Sequence, residues 1–296
     1  MASYSIKDLE ELSGIKAHTI RIWEKRYGII VPERTTTNIR LYNDEDLKKL
    51  LNVSILNRYG LKISHLAKLS CSDLKEKVIH VSSETSDSEI QIENLMISML
   101  ELDEWKFNKI LSNSIIKIGF EETVVSIMHP FFEKIGLLWQ TGSINPAQEH
   151  FVSNLFRQKL IVAIDGQETA TTNDTESFIL FLHENELHEL GLLFYTYLLR
   201  KNGFRTIYLG QAVPFDDLRK IVRICNALYM MTSFTTGIAE KSLKDYLNRL
   251  ARSFPEQTIY YTGFQAQKIN EQLAENTTRV GSADHFQKLI KNIRRN

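Results

Sequence analysis

The stretch ENELHELG, Glu184 to Gly191, follows the apolar run SFILFL and sets a histidine among acidic side chains. Within it Glu186, His188 and Gly191 have the spacing E-x-H-x-x-G. A neutral imidazole is a good transition-metal ligand, and a neighbouring carboxylate can fix its tautomer and raise its basicity. The same letters also describe a plain helix start, with Gly191 there for close packing. A second constellation lies upstream, where Trp139 is followed after nine residues by Glu149 and His150. Singly, these read as a core tryptophan, a carboxylate favoured by a helix dipole and a solvated histidine. A third group is basic: between Lys16 and Tyr42 stand Lys16, Arg21, Lys25, Arg26, Arg34 and Arg40, against Glu24 and Glu33. Such a patch attracts phosphates even though the 296-residue chain has a formal net charge of zero.

Composition narrows what must carry these groups. A hydrophobic content of 43% is that of an ordinary globular protein with room for two or three domains. The first residues, MASYSIKDLEEL, have no apolar core behind basic residues, so no secretory leader is expected. The longest apolar stretch, GLLFYTYLL, is about half the roughly 20 residues a membrane helix needs. Cys71 and Cys225 fit neither a disulfide framework nor a zinc spacing. A cytoplasmic protein without membrane partners is expected.

The basic patch sits in a segment expected to span residues 1–75. Ser5 and Asp8 form a capping box, and Ile6, Leu9 and Leu12 give the first helix one apolar face. Ser13-Gly14 breaks it. A second helix runs to about Tyr27, with Ile20, Trp23 and Tyr27 facing inward and His18, Thr19, Arg21, Lys25 and Arg26 facing solvent. RTTTNIRLY then reads as a small hairpin turning near Asn38, and Asn43 caps a further helix ending at Gly60. Helix-turn-helix, basic hairpin and helix together make a winged helix. Residues 76–86, including the Ser-rich run SSETSDS, read as a linker without the apolar heptads of a dimerising helix.

Residues 87–172 read as a four-helix bundle. The third helix is expected to kink at Pro130. In the fourth, Asn145 is the cap, Pro146 the first helical residue, and Gln148 the partner in a capping box. Residues 173–296 change period. The β-rich runs SFILFLH, RTIYLG, ALYMMTSF, TIYYTG and TRVGS alternate with helices expected at 188–202, 215–226, 238–252, 264–275 and 283–294. That alternation predicts a Rossmann-like, flavodoxin-like parallel sheet with its ligand site at the strands' carboxyl ends. His188 falls at that mouth.

Three resemblances join these segments. TIRIWEKRYGII, PER and IRLY resemble the DNA-binding domain of MerR-type transcription regulators over residues 4 to 70. Glu186-x-His188-x-x-Gly191 is similar to the D-x-H-x-x-G motif of cobalamin-binding domains, whose histidine is the lower ligand of cobalt. Ser233 and Thr235, in SFT, are similar to that family's site beside the nucleotide tail. Trp139-x9-Glu149-His150 resembles the signature of the adenosylcobalamin-dependent photoreceptor repressors, the CarH/LitR type within the MerR group.

The resemblance implies a repressor that binds double-stranded operator DNA and is not an enzyme. It also implies a homo-oligomer, dimer or tetramer, formed through the C-terminal light-sensing region. His18 and Thr19 would meet base edges, and Arg21, Arg26, Arg34, Arg40 and Tyr42 phosphates. Adenosylcobalamin would have His188 below the cobalt and Trp139 and Glu149 at the adenosyl group, with His150 taking the upper position after light. One departure stands out: where the family carries Gly-Gly for the nucleotide tail, this chain has Thr262-Gly263. Two other functions compete. The cobalamin-type domain could serve oligomerisation or protein contacts alone, or the bundle and sheet could belong to a corrinoid enzyme or methyl carrier.

Overall fold

Paired capping boxes frame the N-terminal helices. In the first, the Asp8 N–H donates to Ser5 Oγ and the Ser5 N–H to Asp8; in the second, Asn43 and Asp46 exchange the same bonds. The computed structural model describes residues 3–140, 144–167, 176–269 and 273–293, and the chain divides into two compact units, Met1–Leu155 and Phe156–Asn296.

The first unit opens with α1 (Ile6–Ser13) and α2 (Ala17–Tyr27), then the two-residue strands β1 (Glu33–Arg34) and β2 (Arg40–Leu41). These strands pair antiparallel, with Asn38 at φ 65° in the turn between them. Helices α3 (Asp44–Arg58), α4 (Ile63–Leu66) and α5 (Cys71–Glu84) follow. The linker expected at 76–86 is therefore mostly helix. Leu74, Val78 and Val81 recur on one buried face, and Ser70 and Asp73 cap it. The Ser-rich composition hid a helical period.

The helices expected to form the bundle are α6 (Ser88–Glu101), α7 (Glu104–Ile118), a third helix in pieces and α10 (Pro146–Asp165). The third helix runs as α8 (Phe120–Thr123), a π-turn at Val124–Met128 and α9 (His129–Gln140). The break thus precedes Pro130. Proline has no N–H and crowds the carbonyl four residues back, and the wider π-turn, closed by the His129 N–H on the Val124 carbonyl, absorbs that mismatch. Asn145 caps α10 by accepting from the Ala147 N–H, but the expected capping box is not formed, because Gln148 Oε1 is buried with no hydrogen-bond partner among the described residues. The expected 172/173 boundary lies outside the described residues.

α6 is buried all round from Ile90 to Leu100, and α3 packs against it. Glu93, fully buried on α6, accepts from Arg58 Nη2 and Ser54 Oγ of α3, both at 3.0 Å. Its second oxygen has no partner among the described residues. Burial, opposed by Arg58 and Ser54, raises its pKa from 4.5 to about 7. The stability this group contributes is therefore fully present below pH 4.5 and lost as pH rises through about 7, a loss of about 3 kcal/mol. Glu93→Gln should flatten that slope. Melting curves followed by tryptophan emission at pH 5 and pH 8 should separate for wild type and nearly coincide for the variant. Equal separation in both would rule Glu93 out as the source.

The second unit is a five-stranded parallel sheet ordered β4-β3-β5-β6-β7. In chain order its elements are β3 (Ser177–His183), α11 (Leu190–Lys201), β4 (Arg205–Val213), α12 (Phe215–Cys225), β5 (Tyr229–Ser233), α13 (Glu240–Ser253), β6 (Thr258–Thr262), β7 (Thr277–Arg279) and α14 (Ala283–Ile293). This is the doubly wound flavodoxin-like order, whose switch point lies between β3 and β5. The helix expected at 264–275 is instead a short 3-10 turn at Ala266–Lys268, and residues 270–272 lie outside the described residues. Ile179, Phe181, Leu218, Leu247 and Ile259 fill one face of the sheet. On the other, Phe178 stacks on Tyr229 with ring centroids 4.7 Å apart, and Phe286 of α14 meets Tyr260 edge-on. β4 is an edge strand with register shifts against β3, and Gly210 and Ala212 have positive φ.

Candidate functional site

The switch point is built around one carboxylate. β3 ends at His183, the chain turns, and Glu186 is left with no exposed surface. Its Oε1 lies 2.7 Å from His188 Nδ1 and accepts from the N–H groups of Leu187 and His188, each at 3.0 Å. Its Oε2 accepts from the Thr235 and Thr236 N–H groups, at 2.7 and 2.8 Å, and from the Thr236 hydroxyl at 2.9 Å. Burial alone would raise this acid, but the His188 ring and these backbone donors outweigh it and bring Glu186 down to about 2. An ionised carboxylate only accepts, so the His188 proton sits on Nδ1 and a neutral ring keeps its lone pair on Nε2. The ring itself is more than half exposed.

Around this pair the glycines behave differently. A Cβ at Gly191 would meet nothing within 4 Å, so internal packing does not demand glycine there. At Gly263, φ is +103° and a Cβ would come within 2.4 Å of the Phe234 carbonyl oxygen. That glycine makes room for the chain's own β5 loop, whose Phe234 N–H donates to the Thr262 carbonyl at 2.9 Å. Ser233 is buried at the end of β5, in register with Thr262. Glu189 is buried and held by Arg157 and by the Tyr208 hydroxyl, so the acidic turn is anchored at both ends.

In the first unit, Glu149 and His150 lie in the first turns of α10. His150 is exposed with Nδ1 3.0 Å from Glu149 Oε2, and the other Glu149 oxygen accepts from Ser153. Trp139 falls at the end of α9; its side chain lies outside the described residues. On the winged helix, His18, Arg21 and Arg26 are exposed along α2 beside half-buried Thr19, and Arg34 is exposed on the hairpin, bonded to Asn38. Two expected phosphate contacts are placed otherwise. Arg40 Nε lies 3.2 Å from both oxygens of Glu24, and Tyr42 is buried with its hydroxyl on the same carboxylate. Glu24 thus ties the hairpin to α2 through both side chains.

Residues 4–70 match the MerR HTH family regulatory proteins, and residues 91–164 match the B12 binding domain. The HTH-type transcriptional repressor CarH of Myxococcus xanthus is 26% identical over 279 residues, covering 92% of each chain. CarA, a second HTH-type transcriptional repressor of that organism, is 25% identical over 222 residues, 72% of this chain and 70% of its own. The chain is a MerR-type transcriptional regulator with a B12-binding domain. It is a regulator, not an enzyme. The regulator also shares the fold of the Methanosarcina barkeri monomethylamine corrinoid protein, at a TM-score of 0.54 and 14% identity, covering 66% of this chain and 94% of that one. No described helix of the regulator is long and apolar enough to cross a membrane.

Thr236 and Glu24 are the residues that the sequence did not disclose. Thr236 acts mainly through its backbone N–H, which no residue type signals. Glu24 is a lone acid in a basic helix, and its role depends on the hairpin folding over it.

Proposed function

We propose that this regulator is a repressor that binds operator DNA as an oligomer, with adenosylcobalamin holding the oligomer in the dark and light releasing it. The observation that carries the reading is the Glu186–His188 pair at the sheet's switch point, in a chain that begins with a MerR winged helix. The donor set suits cobalt: Glu186 fixes the proton on Nδ1 and orients a ring whose remaining nitrogen can ligate. Bound adenosylcobalamin would supply a light-sensitive cobalt–carbon bond. By resemblance, Trp139 and Glu149 face the adenosyl group, and His150, exposed on α10, serves the upper cobalt position in the illuminated state. Ser233, Thr235 and Gly263 line the tail side, with Gly191 at its entrance. His18 and Thr19 read bases, Arg21, Arg26 and Arg34 neutralise phosphates, and Arg40 positions the hairpin through Glu24.

A second reading keeps the domain for oligomerisation or protein contacts without cobalamin. The buried Thr262 side chain, where a nucleotide tail would need bare backbone, favours it. Absorption spectra and size-exclusion profiles, taken in the dark and after illumination with adenosylcobalamin present, separate the two. Wild type should retain the cofactor in the dark and lose its oligomer in light. His188→Ala should weaken retention by more than the ~10–100-fold that follows loss of a ligand's hydrogen-bond partner. His150→Ala should bind in the dark yet show an altered illuminated spectrum. Full retention in His188→Ala would remove that residue from the cobalt.

A further inference from the structure

The lower side of the site is open at its mouth and closed one helical turn further in. Gly191 and Tyr195 are four residues apart on α11, so they share one face of that helix about 6 Å apart along its axis. Above Gly191 a Cβ would find open space. At the level of Tyr195 the space between α11 and the sheet is filled. Tyr195 is buried, close enough to Thr262 for the two hydroxyls to interact, and packed edge-on against Phe286 with ring centroids 5.0 Å apart. Thr262 is buried too, and its hydroxyl donates to the Val280 carbonyl at 3.0 Å. Alternation along β6 puts Thr262 on the same face as Tyr260, the face that meets Phe286. Ser233, its neighbour in register, shares that face. The remaining glycine gives no relief, because the Phe234 backbone already occupies the space it leaves.

A nucleotide arm carrying ribose, phosphate and a two-ring base is longer than one helical turn. To enter, it must displace Thr262 from Val280 and Tyr195 from Phe286. We infer that Thr262 and Tyr195 make this domain select corrinoids by their lower arm, taking those without a benzimidazole nucleotide more tightly than full cobalamin. The inference rests on the reading that His188 ligates a corrinoid cobalt. It deepens that reading by naming the class of corrinoid.

The test titrates the full chain in the dark with adenosylcobalamin and with adenosylcobinamide, which has the same corrin and adenosyl group but no nucleotide. Binding is read by equilibrium dialysis, and histidine ligation by the absorption shift. Wild type should favour the cobinamide by about tenfold or more, corresponding to about 1.4 kcal/mol, the scale of one buried hydrogen bond broken. Thr262→Gly should bring the two within about threefold by improving cobalamin binding. Tyr195→Ala opens the same slot from the helix side and should act likewise if the glycine variant fails to fold. Equal affinities in wild type, or tighter cobalamin binding, would overturn the selection while leaving His188 as ligand. Binding of neither compound would overturn both readings.

Discussion

Replacing Gly263 by alanine should destabilise the second unit by about 3–5 kcal/mol, the sum of a strained positive φ and a core clash. Both terms follow from one place in the fold. The residue has φ +103°, and a new Cβ would lie 2.4 Å from the Phe234 oxygen and 2.7 Å from its carbonyl carbon and nitrogen. These are backbone atoms and cannot swing aside as a side-chain tip can. Phe234 is pinned in turn, since its N–H donates to Thr262 and its carbonyl accepts from the Gln265 N–H. Relief would require β5 and β6 to part at their carboxyl ends, which is where the site is assembled. All three tryptophans, Trp23, Trp105 and Trp139, belong to the first unit, so their emission reports on that unit. The variant should therefore lose protection from hydrogen exchange in β3, β5 and β6 at urea concentrations where tryptophan emission is unchanged. Wild-type protection in those strands would show that the loop yields more easily than its backbone geometry implies.

Replacing Glu186 by alanine should cost about as much, on the order of 3–5 kcal/mol, because it breaks a buried charged network and leaves its donors unsatisfied. The N–H groups of Leu187, His188, Thr235 and Thr236 would all lose their acceptor. The pH dependence gives a separate signature. The folded-state pKa is lowered from 4.5 to about 2, so the stability Glu186 provides is fully present above pH 4.5 and lost as pH falls through about 2. That part amounts to about 3 kcal/mol. Acid titration followed by hydrogen exchange in the sheet should show a steep loss in wild type below pH 4.5. In Glu186→Ala the loss should be shallower and start from a less stable protein. The variant also removes the carboxylate that holds the His188 proton on Nδ1, so imidazole nitrogen chemical shifts should report a change of tautomer. Matching acid slopes in the two proteins would mean that other groups set the acid limit.

Much of this architecture was legible because local chemistry and long-range packing agree. Ser5 with Asp8, and Asn43 with Asp46, form the capping boxes that their spacing implies. The apolar strands from Ser177 to Thr262 could be read because a sheet buried on both faces leaves continuous hydrophobic runs. Reading failed where composition and period conflicted. SSETSDS looked like a linker, yet Leu74, Val78 and Val81 upstream kept helical spacing and were decisive. Residues 264–275 had helix-compatible letters, but among the described ones the Gln265 N–H goes to the Phe234 carbonyl and a short turn follows at Ala266–Lys268. In the site, Glu186 and His188 are two residues apart and stand out in the sequence. Thr236, fifty residues further on, reaches Glu186 only because β3 and β5 are adjacent in the sheet. Glu24 is hidden for a related reason: it meets Arg40 and Tyr42, sixteen and eighteen residues further on, only because the hairpin folds back onto α2.

The flanks of the sheet bear on how copies of this protein can associate. An unpaired strand is a template on which another chain can continue hydrogen bonding, and natural proteins blunt such edges with kinks, bulges and short strands. Here β4 shifts register against β3 twice and carries residues with positive φ at Gly210 and Ala212 near its end. At the opposite flank β7 is only Thr277–Arg279, and Arg279 is turned onto the carbonyls of Gln267 and Ile269. Neither edge offers a long straight ladder to a second copy. Polymerisation by strand addition is thereby discouraged, and helix surfaces are left as the ground on which a finite, closed assembly can form.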